Sequence, residues 1–288
     1  MKKSVFSVVF ALIAVTVLNF SVPKRASDHS HGKSVETRFL SPCKDYGDYE
    51  FVETASFKTF FYSSGENRKH NIKLASEKID GKILEKGAEF SFNETVGART
   101  EKNGFLPAKI IFSGRFTEGI GGGVCQVSTT LYNAVVNAGL KITEYHQHSL
   151  LISYVPPATD AMVNSVDCDL KFVNDTGGRI YIKAFADDCS LTVRIYGKRT
   201  EYVYKLDGEI TETLQPLPPV YVTDDEICKT LDKGETKIIS YGLKGAVAKS
   251  YISCYRGEKL IYKKPYRVNV YRPTATLIAV GGGYDGIS

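Results

Sequence analysis

Hydrophobic positions change their spacing several times along this chain. Near the N-terminus, Lys2 and Lys3 precede an apolar run from Val5 to Val22, broken mainly by Ser7, Thr16, Asn19 and Ser21. A charged start followed by an apolar run is an export signal. The run also approaches membrane-spanning length, and "FSVPKRASDHS" has no clean small-x-small cleavage site. Residues 1–22 are therefore expected to be a signal peptide or N-terminal membrane anchor, with 23–50 a polar linker. In "NRKHNIKLASEKIDGKILEKG", Ile72, Leu74, Ala75 and Ile79 follow a short helical pattern, with Asn71 as its expected cap. "AEFSFNETVG" and "AKIIFSG" read as strands ended by turns. Val124, Val127, Leu131, Ala134, Val135 and Ala138 then recur at helical spacing, and Gly139 suits a helix C-terminus. From Leu140 onward strands dominate: "LKITEYH", "SLLISYV", "DLKFVN", "RIYIKAF" and "LTVRIYG". "LQPLPPVYV" is Pro-rich and extended, so residues 200–220 are expected to be a linker. It would divide a domain over 51–199 from a small β domain over 221–282.

Composition narrows the function classes. The chain has 288 residues, a formal net charge of +5, and lysines and arginines that are scattered rather than bunched. That distribution gives no support to nucleic-acid binding. Export would place the chain in an oxidising space, where disulfides persist. There are six cysteines. Sequence proximity pairs Cys168 with Cys189 and Cys228 with Cys254, leaving Cys43 and Cys125 to bond each other or stay free. No C-x-x-C occurs, which argues against a structural zinc knuckle.

The chemistry gathers at "GIGGGVCQVSTTLYNAVVNAGLKITEYHQHS". The glycines leave the backbone free for close approach or positive φ. Cys125 then sits in the first helical turn, where free N–H groups and the helix dipole favour a thiolate. A helix from Gln126 to Gly139 spans roughly 21 Å. A returning strand of seven residues covers roughly 23 Å. The count brings His146, and His148 on the same strand face, back level with Cys125, as a nucleophile and base would be placed. Asp160, Asp167 and Asp169 each qualify as the group that orients the imidazole. Gln126, or backbone N–H groups near Gly122 and Gly123, are candidates to hold an oxyanion. Asn93 and Arg99 lie in a motif-rich loop and either line a pocket or cap turns. Ser128, Thr129 and Thr130 read as helix-packing or hydrogen-bonding residues rather than rival nucleophiles, since no base is spaced for them.

Several long stretches resemble the VanW family of bacterial envelope proteins, named for a gene of vancomycin-resistance clusters. They are "GAEFSFNETVGARTEKNGFLPAKIIFSG", "GGGVCQVSTTLYNA", "HQHSLLISYVPPATDAMV", "DLKFVND" and "IYG", with "NRKHNI" upstream. One departure is Ala158, where the family has glycine in "PPGxDA". The tail "KGETKIISYGLKGAVAKSYISCYRGEKLIYKKPYRVNVYRPTATLIAVG" resembles a G5 domain through Gly234, Gly242, Gly245, Gly257, Pro273 and Gly281. G5 domains are thin β modules with proposed amino-sugar binding. "GGGVCQVSTTLYNAVVNAGLKI" is also similar to the cysteine helix of papain-like and transglutaminase-like folds.

Together these resemblances imply an α+β fold. A papain/transglutaminase-like cysteine helix would pack on an antiparallel sheet, followed by a small all-β G5-like domain. The expected protein is exported, in the cell envelope or outside it. It would meet peptidoglycan or another cell-wall glycan and touch the membrane through its N-terminal segment. Three functions stay open. One is a cysteine-dependent hydrolase or transpeptidase-like enzyme acting on peptidoglycan, with Cys125, His146 or His148, and Asp160, and without a cofactor. The second is a non-catalytic wall-binding or scaffolding protein. The third is a zinc site at Cys125, His146 and His148.

Overall fold

The computed structural model describes residues 51–112, 114–223 and 226–282, which are mostly β-sheet with few helices. The apolar N-terminal run, the linker before residue 51 and Cys43 lie outside the described residues. Among the described residues no helix is long and apolar enough to cross a membrane.

The helix that begins at the glycine run, α3 (Val124–Asn137), is enclosed nearly all round. Val127, Leu131, Tyr132, Ala134 and Val135 are fully buried, but so are Ser128, Thr129, Thr130 and Asn133. Buried polar groups must find partners, and those partners locate the site described below. Against α3 lie α1 (Glu66–Ile79) and strands β1 (Phe51–Phe60) and β9 (Ser190–Lys198). β1 pairs antiparallel with β9, β9 with β8 (Ile180–Ala186), and β8 with β2 (Ile83–Leu84). Ile182, Leu191, Val193 and Ile195 supply the buried face of this sheet. On α1, Ile72, Ala75 and Ile79 are buried as their spacing predicts.

A second small sheet is ordered β3 (Glu89–Ser91), β7 (Lys171–Val173), β6 (Lys141–Glu144). The five-residue helix α2 (Phe92–Val96) follows β3 directly, so "AEFSFNETVG" is a strand only at its start. A hairpin of β4 (Pro107–Phe112) and β5 (Arg115–Ile120) leads into the glycine run. Helix α3 closes with Gly139 at φ 79°, its N–H donating to Val136 O, which is the left-handed end expected there.

The tail forms two three-stranded sheets. One is β10 (Tyr202–Leu214), β13 (Gly245–Arg256) and β14 (Lys259–Tyr271), antiparallel throughout. In the other, β15 (Ala275–Val280) pairs antiparallel with β12 (Thr236–Ser240) and parallel with β11 (Leu217–Val222). The stretch 200–220, expected as a linker, is thus strand β10 and the start of β11. Leu206 and Ile252 join the hydrophobic core built on α3, and Leu206 N–H bonds Asn137 Oδ1 at 2.9 Å. The prolines forecast extended chain correctly, but extended chain next to an apolar helix face becomes a paired strand.

Other expectations are corrected. "SLLISYV" is not a strand, and β6 ends at Glu144, so His146 and His148 share no strand face. Helix α1 starts after Gly65, which puts Asn71 inside it and fully buried. Cys168, Cys189, Cys228 and Cys254 are free thiols. Cys168 lies just before β7 beside Asp167, while Cys189 lies in the β8–β9 turn beside Asp187. Cys228 bonds Val222 O and Cys254 sits in β13, so closeness in sequence did not become closeness of thiols.

Candidate functional site: a thiol, an imidazole and a carboxylate at one cavity

The site starts with the backbone of Gly121 to Gly123. Gly121 and Gly123 have φ of 84° and 112°, a region side-chain-bearing residues rarely adopt. A Cβ on Gly122 would come within 2.6 Å of Lys109 O, because β4 passes directly alongside. Asn71 Nδ2 donates to the Gly122 carbonyl at 3.0 Å and to Leu106 O at 2.9 Å, while its Oδ1 accepts from the Leu106 N–H. This buried asparagine ties the hairpin, α1 and the start of α3 together. Cys125 is then delivered to the first turn of α3, half-buried and lining a cavity of about 1240 Å³.

The polar side of α3 fixes the opposite wall. Ser128 and Thr129 hydroxyls donate to Ala161 O, at 2.6 and 3.2 Å, and Ala161 N–H donates back to Thr129 Oγ1. Asn133 Nδ2 donates to Thr159 O at 2.8 Å. Asp160 is therefore clamped on both sides. One of its oxygens, Oδ2, accepts from the backbone N–H of His148 and contacts His148 Nδ1 at 2.7 Å. With Nδ1 held by a carboxylate, Nε2 is left for the thiol.

The electrostatics follow. Burial alone pushes the Cys125 thiol up, but the hydrogen bond and charge of His148, with help from the Val163 backbone at 3.2 Å and from Arg99, outweigh it and hold the thiol below its ordinary value. Burial opposes a charged His148 ring, yet Asp160 and Cys125 raise it to about 9. Burial likewise works against Asp160, and His148 with Tyr271 still holds it below the usual carboxylate range. The arrangement shifts the thiol toward thiolate and the ring toward imidazolium.

The sequence candidates divide as follows. His148 meets Cys125, and Asp160 meets His148. His146 turns its Nε2 to Glu144 at 3.0 Å and does not line the cavity. Asp167 accepts from Asn164 Nδ2, and Asp169 accepts from Ser91 Oγ and the Asn93 N–H, so neither orients the imidazole. Gln126 is buried, and its amide is already engaged by Thr59, Phe60 and Arg68. It braces the site and is not free to hold an oxyanion. The N–H groups of Gly122, Gly123 and Cys125 have no acceptor among the described residues, in keeping with a helix start. Asn93 bonds the carbonyls of Asn164 and Cys168 and receives Arg99 at 2.6 Å; Arg99 lines the cavity. Cys125, His146 and His148 form no convergent ligand group, nor does any other set of His, Cys, Asp and Glu among the described residues.

Residues 67–196, which carry all three groups, match the family model described as VanW like protein. The chain carries a VanW-like domain. It is 40% identical over 144 residues to the Bacillus subtilis protein YoaR, covering 50% of this chain and 48% of YoaR. It is 26% identical over 149 residues to the Enterococcus faecalis vancomycin B-type resistance protein VanW, covering 49% of this chain and 54% of that protein. The matched stretch spans about half the length of either relative. Two G5 domains are structural neighbours, those of HP0197 and IgA1 protease. They are 16% and 11% identical, each covers 28% of this chain with 100% and 88% of its own, and the TM-scores are 0.16 and 0.20. TM-scores that low do not define a fold.

Three contributors to the VanW-like site were not legible in its local motifs. Tyr271 and Asn269 on β14 both reach Asp160 Oδ1, Tyr271 through its hydroxyl and Asn269 through Nδ2 at 3.3 Å. They lie more than a hundred residues from it in sequence, and no periodicity links such positions. Arg68 lines the cavity from α1, donating to Ser64 Oγ and Gln126 Oε1. Its only signal was its place in "NRKHNI".

Proposed function

We propose that this protein is a cell-envelope enzyme that transfers acyl groups through Cys125, as a cysteine hydrolase or transpeptidase-like enzyme of wall peptides. The observation that carries this reading is one arrangement: a half-buried thiol at a helix start, an adjacent histidine, and a fully buried aspartate on that histidine's other nitrogen. The sequence likeness of "GGGVCQVSTTLYNAVVNAGLKI" to papain-like cysteine helices supports the same reading. The envelope setting rests on the VanW-like match and on the name of the resistance protein it resembles.

In the proposed reaction the Cys125 thiolate attacks a substrate carbonyl carbon, and the N–H groups at the start of α3 receive the developing oxyanion. The His148 imidazolium gives its proton to the departing amine as the C–N bond breaks, leaving a thioester and a neutral imidazole. Water or an acceptor amine then attacks the thioester. His148 takes the nucleophile's proton, and the C–S bond breaks to restore thiolate and imidazolium. Asp160 keeps Nδ1 protonated and the ring oriented throughout.

The test uses the full chain with purified wall stem peptides and mass spectrometry. Wild-type protein is expected to shorten or exchange peptides and to show a Cys125 acyl adduct at short times. Cys125→Ala and His148→Gln are expected to abolish both. Turnover that survives in folded Cys125→Ala would remove Cys125 from the chemistry.

A further inference from the structure

The cavity beside Cys125 holds more positive charge than the proposed chemistry uses. Arg68, Arg99 and Lys109 line it, against a single acid, Glu66, which is 86% exposed and already paired with Lys69. The two arginines are the informative pair. Arg68 donates only to neutral oxygens, Ser64 Oγ at 2.8 Å and Gln126 Oε1 at 2.7 Å. Arg99 does the same with Asn93 Oδ1 at 2.6 Å and Asn164 O at 3.3 Å, and its buried Nε has no partner. Neither meets a carboxylate among the described residues. Burial makes the charged form of both unfavourable and lowers both below the ordinary guanidinium value. The Cys125 thiolate, and for Arg99 also Asp169, offset part of this cost through charge but bond neither guanidinium, so each still gains from a ligand that supplies a bonded anion.

Both arginines also touch the glycine run. Arg99 Cβ lies 3.0 Å from where a Cβ on Gly121 would stand, and Arg68 O and Cγ lie 3.0 and 3.1 Å from that of Gly123. They therefore flank, from two sides, the segment that presents Cys125. The rest of the wall is apolar in part, with Ile110, Phe116 and Leu151. That is a lining for an elongated organic ligand rather than a small inorganic ion.

From this we infer that Arg68 and Arg99 form a carboxylate-binding subsite, so that the acyl substrate carries a free carboxylate close to the bond that Cys125 attacks. The inference rests on Cys125 being the nucleophile. It identifies the substrate class as an acidic peptide, one with a free α-carboxylate or an acidic side chain near the scissile bond. Each arginine keeps terminal N–H donors beyond those it gives to Ser64, Gln126, Asn93 and Asn164, and the carboxylate accepts from these.

Two alkylating agents of nearly equal size test this on the full chain. Iodoacetate carries a carboxylate and iodoacetamide does not. Rates are read by mass spectrometry on the peptide bearing Cys125. The iodoacetate-to-iodoacetamide rate ratio is expected to exceed that of glutathione by about tenfold or more, the size of one well-placed charge interaction. It should saturate with concentration. It should fall about tenfold in Arg99→Gln or Arg68→Gln and be largely kept in the lysine variants, which separates the arginines from the imidazolium. On wild type alone, glutarate should slow iodoacetamide while glutaramide does not. A Cys125 that reacts rapidly with iodoacetamide but shows the glutathione ratio and no glutarate protection overturns the subsite and leaves the nucleophile standing. A Cys125 inert to both reagents overturns the nucleophile reading itself. Protection by inorganic phosphate stronger than by glutarate would overturn the choice of carboxylate.

Discussion

Ala158 is the residue where a local rule is broken. Its φ of 59° is the sole positive value outside glycine among the described residues, and it stands where the VanW pattern has glycine. The strain of a left-handed Ala is about 1–2 kcal/mol. Its methyl is fully buried against Ala246, Ala248 and Tyr271, and losing a buried methyl costs about 0.8 kcal/mol. Glycine also gives the unfolded chain more freedom. The effects nearly cancel, so Ala158→Gly should change unfolding free energy by less than about 1 kcal/mol in urea titrations. Asp160, two residues on, behaves oppositely. Asp160→Asn keeps the shape but removes the charge that supports a protonated His148. Thiol reactivity at neutral pH should drop by about tenfold or more while the fold persists. Of this residue-scale chemistry, Cys125 and a nearby histidine were legible because glycine–cysteine and helix spacing are local signals. Which histidine was not, since β6 stops at Glu144 and the loop beyond it turns His148, not His146, toward the thiol.

Among the elements, α3 gives the clearest account. Its apolar spacing predicted a helix but said nothing of the buried serine, threonine and asparagine positions. Those residues bind the backbone on both sides of Asp160 and place the carboxylate opposite the thiol. Thr129→Val would leave the Ala161 N–H without its acceptor. The expected cost is about 1–3 kcal/mol, with a matching loss of thiol reactivity, checked by denaturation and alkylation together. The glycine run is the second device. Gly122→Ala drives a methyl into Lys109 O, a backbone atom that cannot yield cheaply, so a loss of about 1–3 kcal/mol and a displaced Cys125 are expected. Cys168 and Cys189 show why cysteine spacing misled. Sheet register, not sequence distance, decides which thiols meet, and register was invisible beforehand.

Over the whole molecule, the two expected domains share one site. β10 lies so close to the Pro157 loop that a Cβ on Gly208 would fall 1.8 Å from Pro157 O. Arg267 on β14 stacks on Tyr145, its guanidinium 3.8 Å from the ring centre, and its Nε donates to Tyr132 OH at 2.9 Å. Tyr271 bonds both Asp160 and the Ala158 N–H. The tail therefore supports the Asp160 carboxylate and is not an appended module on a free linker. Tyr271→Phe should lower stability by about 1–3 kcal/mol and weaken the Asp160–His148 pair, although the residue lies outside the VanW-like segment.

The central claim is that His148, held by Asp160, keeps Cys125 as a thiolate. It is tested most directly by the pH dependence of Cys125 alkylation with iodoacetamide in wild type and His148→Gln. The folded thiol lies below its ordinary value and His148 is raised to about 9. The thiolate–imidazolium pair therefore exists between those two points. Wild type should keep its reactivity below the ordinary thiol range, lose it as falling pH protonates Cys125, and change again near pH 9, where His148 gives up its proton. In His148→Gln, burial acts on the thiol without its partner, so the reactive limb should move upward by at least about one pH unit. Superimposable profiles for the two proteins, both rising only in the ordinary thiol range, would contradict the account.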